Sequence, residues 1–329
     1  MWFEKLMGFE EVTPQQVREN IILEGNKLIS KVNGESYIYG DLEIPSLAEL
    51  RERTKTIIPT GRLKFSEQVA NVQLLHENEA NTNALFQVAS QFNLLEMVNP
   101  SITPEQGIDI YEHDYTQGPA CAIAAGAGTT YRNYFVRVND QIGQTATSQI
   151  DCIKDLGTAL GNKNGSLWQM RNGYVIRSKN GLETIDQQLR KMTETEKDQL
   201  RSLLRIGIQW QTQVTLNGAK HVVSQTYNSA LPVAYHSFSD YWENFARLIL
   251  DASYEATFHA ALLNQQKTGN NKVYLTLIGG GAFGNRMDWI IGALKRSLKL
   301  FAQYNLDVIM VSYRISKPSI QAIVKELEH

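Results

Sequence analysis

The strongest constraint on the fold is the segment 273–285, VYLTLIGGGAFGN, in which an apolar run ends in a glycine loop. Apolar residues then recur at helical spacing from Trp289 to Phe301, and a second apolar run follows at 308–311. The order strand, glycine loop, helix, strand predicts a βαβ unit. Its loop would expose main-chain N–H groups beside the positive end of a helix dipole, an arrangement that suits a phosphate or a pyrophosphate.

Strand and helix patterns alternate from about residue 66 to the end of the chain. The predicted strands include the β-favouring runs at 69–75, 84–90, 206–215 and 221–227, and the longest predicted helix spans 241–263. This alternation predicts an α/β layered fold that binds its ligand at the carboxyl ends of the strands. The turn residues at 216–219 predict a hairpin, so we expect a mixed sheet.

The first 65 residues show different signals. Thr13 followed by Pro14 predicts a helix start, and Asn33-Gly34 between two β-favouring runs predicts a hairpin. We therefore expect an N-terminal α+β extension over residues 1–65, packed on a core domain over residues 66–329.

Composition excludes several functional classes. The net charge is −2 with no cluster of lysine and arginine, which argues against nucleic-acid binding. The sequence contains no apolar run of about 18 residues, so we expect no membrane span. The six histidines form no HxxxH or HExxH pair, and the two cysteines, Cys121 and Cys152, are too few for a cysteine-type metal site. We expect a cytoplasmic, monomeric protein with no metal and no cofactor.

The loop 279–284 also satisfies the GxGxxG fingerprint of dinucleotide-binding dehydrogenases. That fingerprint opens a domain in which several βα units follow, whereas here one helix and one clear strand remain. The acidic residue expected after the next strand is absent, because that run ends in Ser312-Tyr313-Arg314. A Walker A loop is excluded because no Gly-Lys-Ser or Gly-Lys-Thr follows. An NAD-linked oxidoreductase therefore stands as a less favoured hypothesis, beside a purely structural turn.

A second segment has the character of an anion site. Residues 117–120, QGPA, open a helix of small residues, whose first turn aims main-chain N–H groups outward. Two such helix starts in one α/β chain suggest a pyrophosphate held between two loops.

The order of elements from 66 to 315 resembles the macrodomain family, which binds ADP-ribose. The strand end at 86–93 resembles that family's VNAAN strand end, the segment 117–125 its glycine-rich loop and helix, and 221–226 its IIHTV strand. The segment 275–285 resembles its phosphate loop. The resemblance implies a three-layer α/β/α macrodomain-like mixed sheet, with the N-terminal α+β extension and a helical insertion at about 132–205.

The residues of two motifs differ from those of the family. Residues 88–93 read VASQFN, and residues 116–120 read TQGPA where the family has three glycines. The stretch 109–122, DIYEHDYTQGPACA, is more similar to a divergent branch, the MavL-type effector macrodomains, which are ADP-ribosyl hydrolases acting on ADP-ribosylated ubiquitin.

The resemblance implies a set of ADP-ribose contacts in this chain. Asn93 would hold a ribose hydroxyl, Phe283 would pack on the ribose, and Glu77 would contact adenine. The expected binding residues are Asn93, Gln117, Gly118, Pro119, Ala120, Gly279, Gly280, Gly281, Ala282, Phe283, Gly284, Asn285 and Glu77.

Three acidic residues precede the 117–120 loop, where the resemblance places the distal ribose. Cleavage at C1″ of that ribose passes through a transition state with oxocarbenium character, which a nearby carboxylate can stabilise. We expect Asp114 to be catalytic, followed by Glu112 and Asp109; in an extended segment Glu112 and Asp114 would share one face.

The sequence therefore predicts a macrodomain-like hydrolase that removes ADP-ribose from a modified protein, with ubiquitin as one candidate. The alternative is a reader module that binds ADP-ribose without cleaving it.

Overall fold

The structure, a computed structural model, describes residues 1–237 and 239–328. Its helices are α1 (Trp2–Met7), α2 (Pro14–Asn20), α3 (Leu47–Thr54), α4 (Val72–Glu77), α5 (Gln117–Ala124), α6 (Gly126–Tyr134), α7 (Lys154–Leu160), α8 (Gly181–Lys191), α9 (Glu194–Ser202), α10 (Trp242–Thr268), α11 (Met287–Leu300) and α12 (Pro318–Glu328). Its strands are β1 (Ile21–Glu24), β2 (Lys27–Ser30), β3 (Ser36–Ile38), β4 (Asp41–Glu43), β5 (Lys64–Val69), β6 (Leu85–Ala89), β7 (Arg137–Val138), β8 (Gln141–Ile142), β9 (Trp168–Arg171), β10 (Tyr174–Arg177), β11 (Gly207–Gln213), β12 (Val222–Asn228), β13 (Lys272–Leu275) and β14 (Asp307–Ser312).

Seven strands form the central sheet in the order β4-β11-β12-β6-β13-β14-β5. The five strands from β12 to β5 run parallel to one another, and β11 is antiparallel to both of its neighbours. The predicted mixed sheet is therefore confirmed. Parallel strands of this kind require cover on both faces, because their side chains alternate between two apolar layers.

Two adjacent residues of β6 show the three layers. Phe86 faces α4, where its ring stacks on His76 with centroids 3.8 Å apart. Gln87 faces the opposite side, where its Nε2 donates a hydrogen bond of 2.8 Å to Thr257 of α10. Successive side chains of a strand point to opposite faces, so α4 and α10 lie on opposite sides of the sheet. The predicted α/β/α layering is confirmed.

The prediction of a strand at 69–75 was wrong. β5 ends at Val69, and Asn71 caps a helix by accepting a hydrogen bond from the Gln73 amide. Val72, Leu75 and His76 are buried at helical spacing. An apolar run of this length is compatible with either a strand or a helix face, and here the cap decides.

The N-terminal residues take part in two separate assemblies. β1, β2 and β3 form a small antiparallel sheet of their own. β4, in contrast, pairs with β11 as an edge strand of the central sheet, and α3 packs against α10. The predicted boundary at residue 65 falls inside β5, the opposite edge of the same sheet.

The predicted insertion at about 132–205 contains two short hairpins, β7–β8 and β9–β10, and the helices α7, α8 and α9. The β9–β10 hairpin lies near the carboxyl end of β6, where Phe92 N–H donates to Gly173 O at 3.0 Å. This contact brings Tyr174 to the edge of the central sheet.

Candidate functional site

A cleft opens where two neighbouring parallel strands separate. β6 and β13 pair only at Leu85–Val273 and Phe86–Tyr274, and beyond these residues their carboxyl ends diverge. The cavity between them has a volume of about 190 Å³. Its lining comprises Ala89, Ser90, Gln91, Glu96, Met97, Val98, Asp114, Thr116, Gln117, Gly118, Pro119, Tyr174, Ala230, Tyr235, Thr276, Leu277, Ile278, Gly279, Gly281, Ala282 and Phe283. This is the edge at which open α/β sheets bind ligands.

The side chain of Gln117 occupies the gap between the diverging strands. Its Oε1 accepts a hydrogen bond of 2.9 Å from Ala89 N–H, and its Nε2 donates one of 2.8 Å to Gln87 O. The side-chain amide of Gln117 thus makes the two hydrogen bonds that a neighbouring strand would otherwise make with β6. This pairing fixes the start of α5 against the end of β6, and it leaves the main-chain N–H of Gln117 as the group that could contact a ligand.

The first turn of α5 packs directly on that strand end. A Cβ atom at Gly118 would lie 2.0 Å from Ala89 O, so only glycine permits this approach. In the described part of the chain, the N–H groups of Gln117 and Gly118 have no main-chain acceptor, as expected for a first helical turn. Both residues line the cleft, and the positive end of the α5 dipole therefore faces it.

The glycine loop after β13 forms the opposite wall. Gly279 and Gly284 have positive φ values of 73° and 67°. Asn285 N–H donates to Gly279 O at 2.9 Å and closes the loop. Within residues 1–237 and 239–328, the N–H groups of Gly281, Ala282 and Phe283 donate no main-chain hydrogen bond. Three consecutive unpaired amides thus border the cleft.

Three predicted residues of this loop shape it without lining the cleft. Gly280 N–H donates to Leu277 O at 3.0 Å, and Gly284 N–H donates to Gly281 O at 3.0 Å. Asn285 is buried and its Nδ2 donates to Leu231 O at 2.8 Å. These bonds close the turn on both sides of residues 281–283, whose own N–H groups stay without a main-chain acceptor.

Three aromatic rings enclose one end of the cleft. Tyr174 lies 5.3 Å from Phe283 and 5.3 Å from Tyr235, centroid to centroid, and Tyr235 lies 5.8 Å from Phe283. Tyr174 O–H donates to Met97 O at 2.6 Å, which fixes its ring. The rings are inclined to one another by 47–79°, so they form an apolar corner against which a sugar or a base can pack.

The three predicted catalytic carboxylates separate in the structure. Asp114 lines the cleft, and its Oδ1 accepts a hydrogen bond of 2.9 Å from Thr116 N–H. Asp109 and Glu112 instead cap α1, accepting hydrogen bonds from Phe3 N–H at 3.1 Å and Trp2 N–H at 2.8 Å. Neither of the two lines the cleft.

The reason is local geometry. Residues 109–113 form a 3₁₀ helix, not an extended segment, so Asp109 and Glu112 lie on one face three residues apart. That face carries two carboxylates to the positive end of α1. We therefore leave Asp109 and Glu112 out of the proposed catalytic set and retain Asp114.

Asn93, Glu77 and Ala120 also lie away from the cleft lining. Asn93 is fully buried; its Oδ1 accepts from Leu95 N–H at 3.1 Å and its Nδ2 donates to Gln149 at 2.9 Å. Glu77 accepts a hydrogen bond from Asn217 at 3.0 Å on the surface. Asn93 thus orders the turn after β6, whereas Gln91 and Glu96 on either side of it line the cleft.

Glu96 is a candidate that the sequence analysis missed. Its side chain is 1% exposed and lies 3.4 Å from the guanidinium of Arg132, and the residue lines the cleft. Burial raises the pKa of Glu96 to about 7, outweighing the opposing effects of Arg132 and Tyr111. One sequence signal was available, since Glu96 is a lone charge inside the apolar run 92–98 directly after a strand.

Among the described residues, no group of three or more histidine, cysteine, aspartate or glutamate side chains is arranged to hold a metal ion. None of the helices in residues 1–237 and 239–328 combines the length and the apolar character needed to cross a membrane.

Comparison with known proteins gives structural similarity alone. No protein-family model matches the chain, and no curated protein sequence matches it. Among solved structures, the chain is similar to poly(ADP-ribose) glycohydrolase from Deinococcus radiodurans in complex with ADP-ribose, with 13% identity and a TM-score of 0.47 over 88% of this chain and 94% of that chain. It is also similar to poly(ADP-ribose) glycohydrolase from Thermomonospora curvata, with 11% identity and a TM-score of 0.45 over 95% of this chain and 97% of that chain. The same values hold for the latter enzyme bound to the inhibitor ADP-HPD.

Proposed function

We propose that the chain binds ADP-ribose in the cleft between β6 and β13 and hydrolyses the bond that joins its distal ribose to a protein. The observation that carries this proposal is the convergence of two sets of unpaired main-chain amides. The N–H groups of Gln117 and Gly118 lie on one wall, and those of residues 281–283 lie on the other. Amides at a helix start and in a glycine loop bind phosphate oxygens well, and two facing sets fit the two phosphates of a pyrophosphate.

The charge of the lining supports the same ligand. Among the described residues, no lysine or arginine lines the cleft, while Glu96 and Asp114 do. A site for a free phosphate monoester commonly uses a cationic side chain. A pyrophosphate diester, with one charge on each phosphate, is instead balanced by main-chain dipoles.

The size of the cavity fits an elongated ligand that is enclosed in part. A volume of about 190 Å³ is below the range of roughly 300–1,000 Å³ typical of sites that enclose a whole ligand. The pyrophosphate and one ribose would therefore be enclosed, with the rest of the nucleotide on the open surface. The aromatic rings of Tyr174, Tyr235 and Phe283 offer a sugar an apolar wall.

The two carboxyl groups supply the chemistry. Asp114 precedes the first turn of α5, and a Cβ atom at Gly118 would lie 3.1 Å from the Cγ atom of Glu96, so both carboxyl groups lie beside the same pyrophosphate-binding turn. A ribose attached to the bound pyrophosphate would present C1″ to them. Carboxylates stabilise the oxocarbenium character of glycosidic cleavage and activate water.

Calorimetry and a release assay test the proposal. We expect ADP-ribose to bind with a Kd in the micromolar range and NAD to bind more weakly. Protein carrying mono-ADP-ribose, including ADP-ribosylated ubiquitin, and poly(ADP-ribose) are then incubated with the chain, and free ADP-ribose is measured by chromatography. Asp114→Asn should lower release at least tenfold and keep affinity for ADP-ribose, whereas Glu112→Gln, outside the cleft, should retain the rate.

The outcomes separate the three hypotheses. Binding of ADP-ribose without release from any of these substrates would identify a reader module. Tight binding of NAD without binding of ADP-ribose would overturn the proposal in favour of an NAD-linked enzyme. Release from ubiquitin alone would support the MavL-type branch as the nearer relative.

A further inference from the structure

We propose that Glu96, on the floor of the cleft, is the catalytic residue that accepts the proton of the attacking water, and that Arg132 is the positioning residue that holds its carboxylate. This inference rests on the proposed hydrolysis of ADP-ribosylated protein. In it the two carboxyl groups of the cleft have different roles: Glu96 accepts the proton, and Asp114 interacts with the ribose.

The two oxygens of Glu96 have different surroundings. Oε1 lies 3.4 Å from Nη2 of Arg132. Oε2 is buried and has no hydrogen-bond partner within residues 1–237 and 239–328. A buried carboxylate oxygen without a partner is costly, so a water or a ligand hydroxyl is expected to bind it. Because Glu96 lines the cleft, that partner would enter from the ligand side.

Arg132 is fixed by groups other than its acidic partner. It is fully buried in α6, and its Nε donates to Leu94 O at 3.0 Å. Its Nη2 donates to Thr129 Oγ1 at 3.3 Å, and its guanidinium lies 3.7 Å from the ring centroid of Tyr227. The guanidinium therefore keeps one orientation and contacts Oε1, while Oε2 is left without a partner.

Charged and titratable groups surround Glu96 from four elements. Arg132 approaches from α6, Cys121 from α5, Tyr227 from β12, and Tyr111 from the 3₁₀ segment, where its Oη accepts a hydrogen bond of 3.0 Å from Glu96 N–H. Burial raises the pKa of Glu96 to about 7, and Arg132 and Tyr111 oppose that rise. A base with a pKa near neutrality accepts a proton efficiently and remains ionised in a large part of the molecules.

The reaction balances with water as the only co-reactant. The oxygen of a water bound to Oε2 attacks C1″, one of its protons moves to Oε2, and a C1″–OH bond forms. The bond between C1″ and the protein side chain breaks, and its electron pair goes to the leaving atom. Solvent supplies a proton to that atom where it needs one, and Glu96 returns its proton to solvent after product release.

The test is the pH dependence of kcat/KM for release of ADP-ribose from mono-ADP-ribosylated protein. The parent rate should fall with decreasing pH, with a midpoint near the pKa of about 7, because protonated Glu96 cannot accept a proton. Glu96→Gln should lower kcat at least 100-fold, leave the Kd for ADP-ribose within threefold, and abolish this acid limb. Glu183→Gln, on the exposed side of α8, is the matched control and should keep both the rate and the limb.

Tyr111→Phe keeps the inference testable if Glu96→Gln does not fold. The Tyr111 hydroxyl lowers the pKa of Glu96, so its removal should shift the acid limb to higher pH. If the parent is active, either of two results would overturn the inference and leave the proposed function intact. One is an acid limb that Tyr111→Phe does not shift. The other is a Glu96→Gln variant that keeps both the rate and the acid limb. A parent that releases no ADP-ribose would refute the proposed hydrolysis itself and the role of Glu96 with it.

Discussion

Gly118 and Gly281 both border the cleft, yet the protein constrains them differently. A Cβ atom at Gly118 would lie 2.0 Å from the carbonyl oxygen of Ala89 and 3.1 Å from Cγ of Glu96. A Cβ atom at Gly281 would meet no other atom within 4 Å. Gly118 is thus required by packing, because main chain meets main chain there, whereas Gly281 leaves open space beside unpaired amides.

This contrast gives a paired prediction. Gly118→Ala should lower the free energy of unfolding by about 1–3 kcal/mol, because the start of α5 must move away from β6, and it should weaken ADP-ribose binding. Gly281→Ala should change the free energy of unfolding by less than about 0.5 kcal/mol. Urea unfolding and calorimetry measure both quantities. Equal stabilities of the two variants would contradict the close packing at Gly118.

The two variants also separate stability from binding. A Gly281→Ala variant that unfolds like the parent but loses affinity would locate the pyrophosphate at residues 281–283. If affinity is lost only in Gly118→Ala, the start of α5 contributes the larger share.

At the level of single elements, the two loops were predictable and the acidic segment was not. Glycines at 279–284 and small residues at 117–120 encode their geometry locally, since few other residues permit those backbone conformations or close contacts. The direction of Asp109 and Glu112 depends on α1, more than 100 residues away, whose amides they cap. The buried contact between Glu96 and Arg132 of α6 likewise joins residues 36 positions apart, and no local pattern reveals it.

No cationic side chain belongs to the described lining of the cleft, and this predicts how ADP-ribose binding by α5 and the glycine loop depends on salt. If main-chain amides and the dipoles of α5 and the glycine loop hold the pyrophosphate, salt should screen the interaction only weakly, because these partners act at contact distance. The Kd of ADP-ribose should change by less than about threefold between 50 and 500 mM NaCl, estimated from the short range of such contacts. Calorimetry at both salt concentrations checks this, with ADP as a second ligand. A tenfold loss of affinity in high salt would indicate that a lysine or arginine side chain contributes.

For the whole molecule, the alternation of strands and helices predicted the layers, but not which segments complete the sheet. β4 joins β11 across about 170 residues of sequence, through pairs such as Leu42–Gln209. The sequence of β4 is only three residues long and carries no distinctive pattern. Tyr174, in the segment predicted as an insertion, likewise lines the cleft far along the sequence from β6 and β13. Pairings of this kind depend on tertiary packing, whereas the sequence predicted the first segment in the N-terminal extension and the second in the insertion at about 132–205.

The helices on one side of the sheet share a single buried carboxylate. Glu255 of α10 is 4% exposed, and its Oε1 lies 2.6 Å from Arg51 of α3 while its Oε2 lies 2.5 Å from Arg296 of α11. Asp198 of α9 contacts both arginines, at 2.8 Å and 3.5 Å. Four helices from distant parts of the chain therefore converge on one ion cluster.

This cluster predicts where the stability of the whole molecule is most sensitive to one charge. Burial alone would raise the pKa of Glu255, but hydrogen bonds from His259, Arg51 and Arg296 hold it well below its usual range. The stabilisation is therefore fully present above the unfolded pKa of about 4.3 and is lost only as the pH falls through the lower folded value. Glu255→Gln should lower the free energy of unfolding by about 2–3 kcal/mol, because two half-buried arginines lose the buried carboxylate that they share. Glu243→Gln, which breaks an exposed pair with Arg247 on the same helix, should cost less than about 1 kcal/mol.

Urea unfolding at pH 7 and at pH 5 measures the difference in the free energy of unfolding between Glu255→Gln and the parent, and we expect the same difference at both pH values. A difference that disappears at pH 5 would show that the cluster does not hold Glu255 ionised.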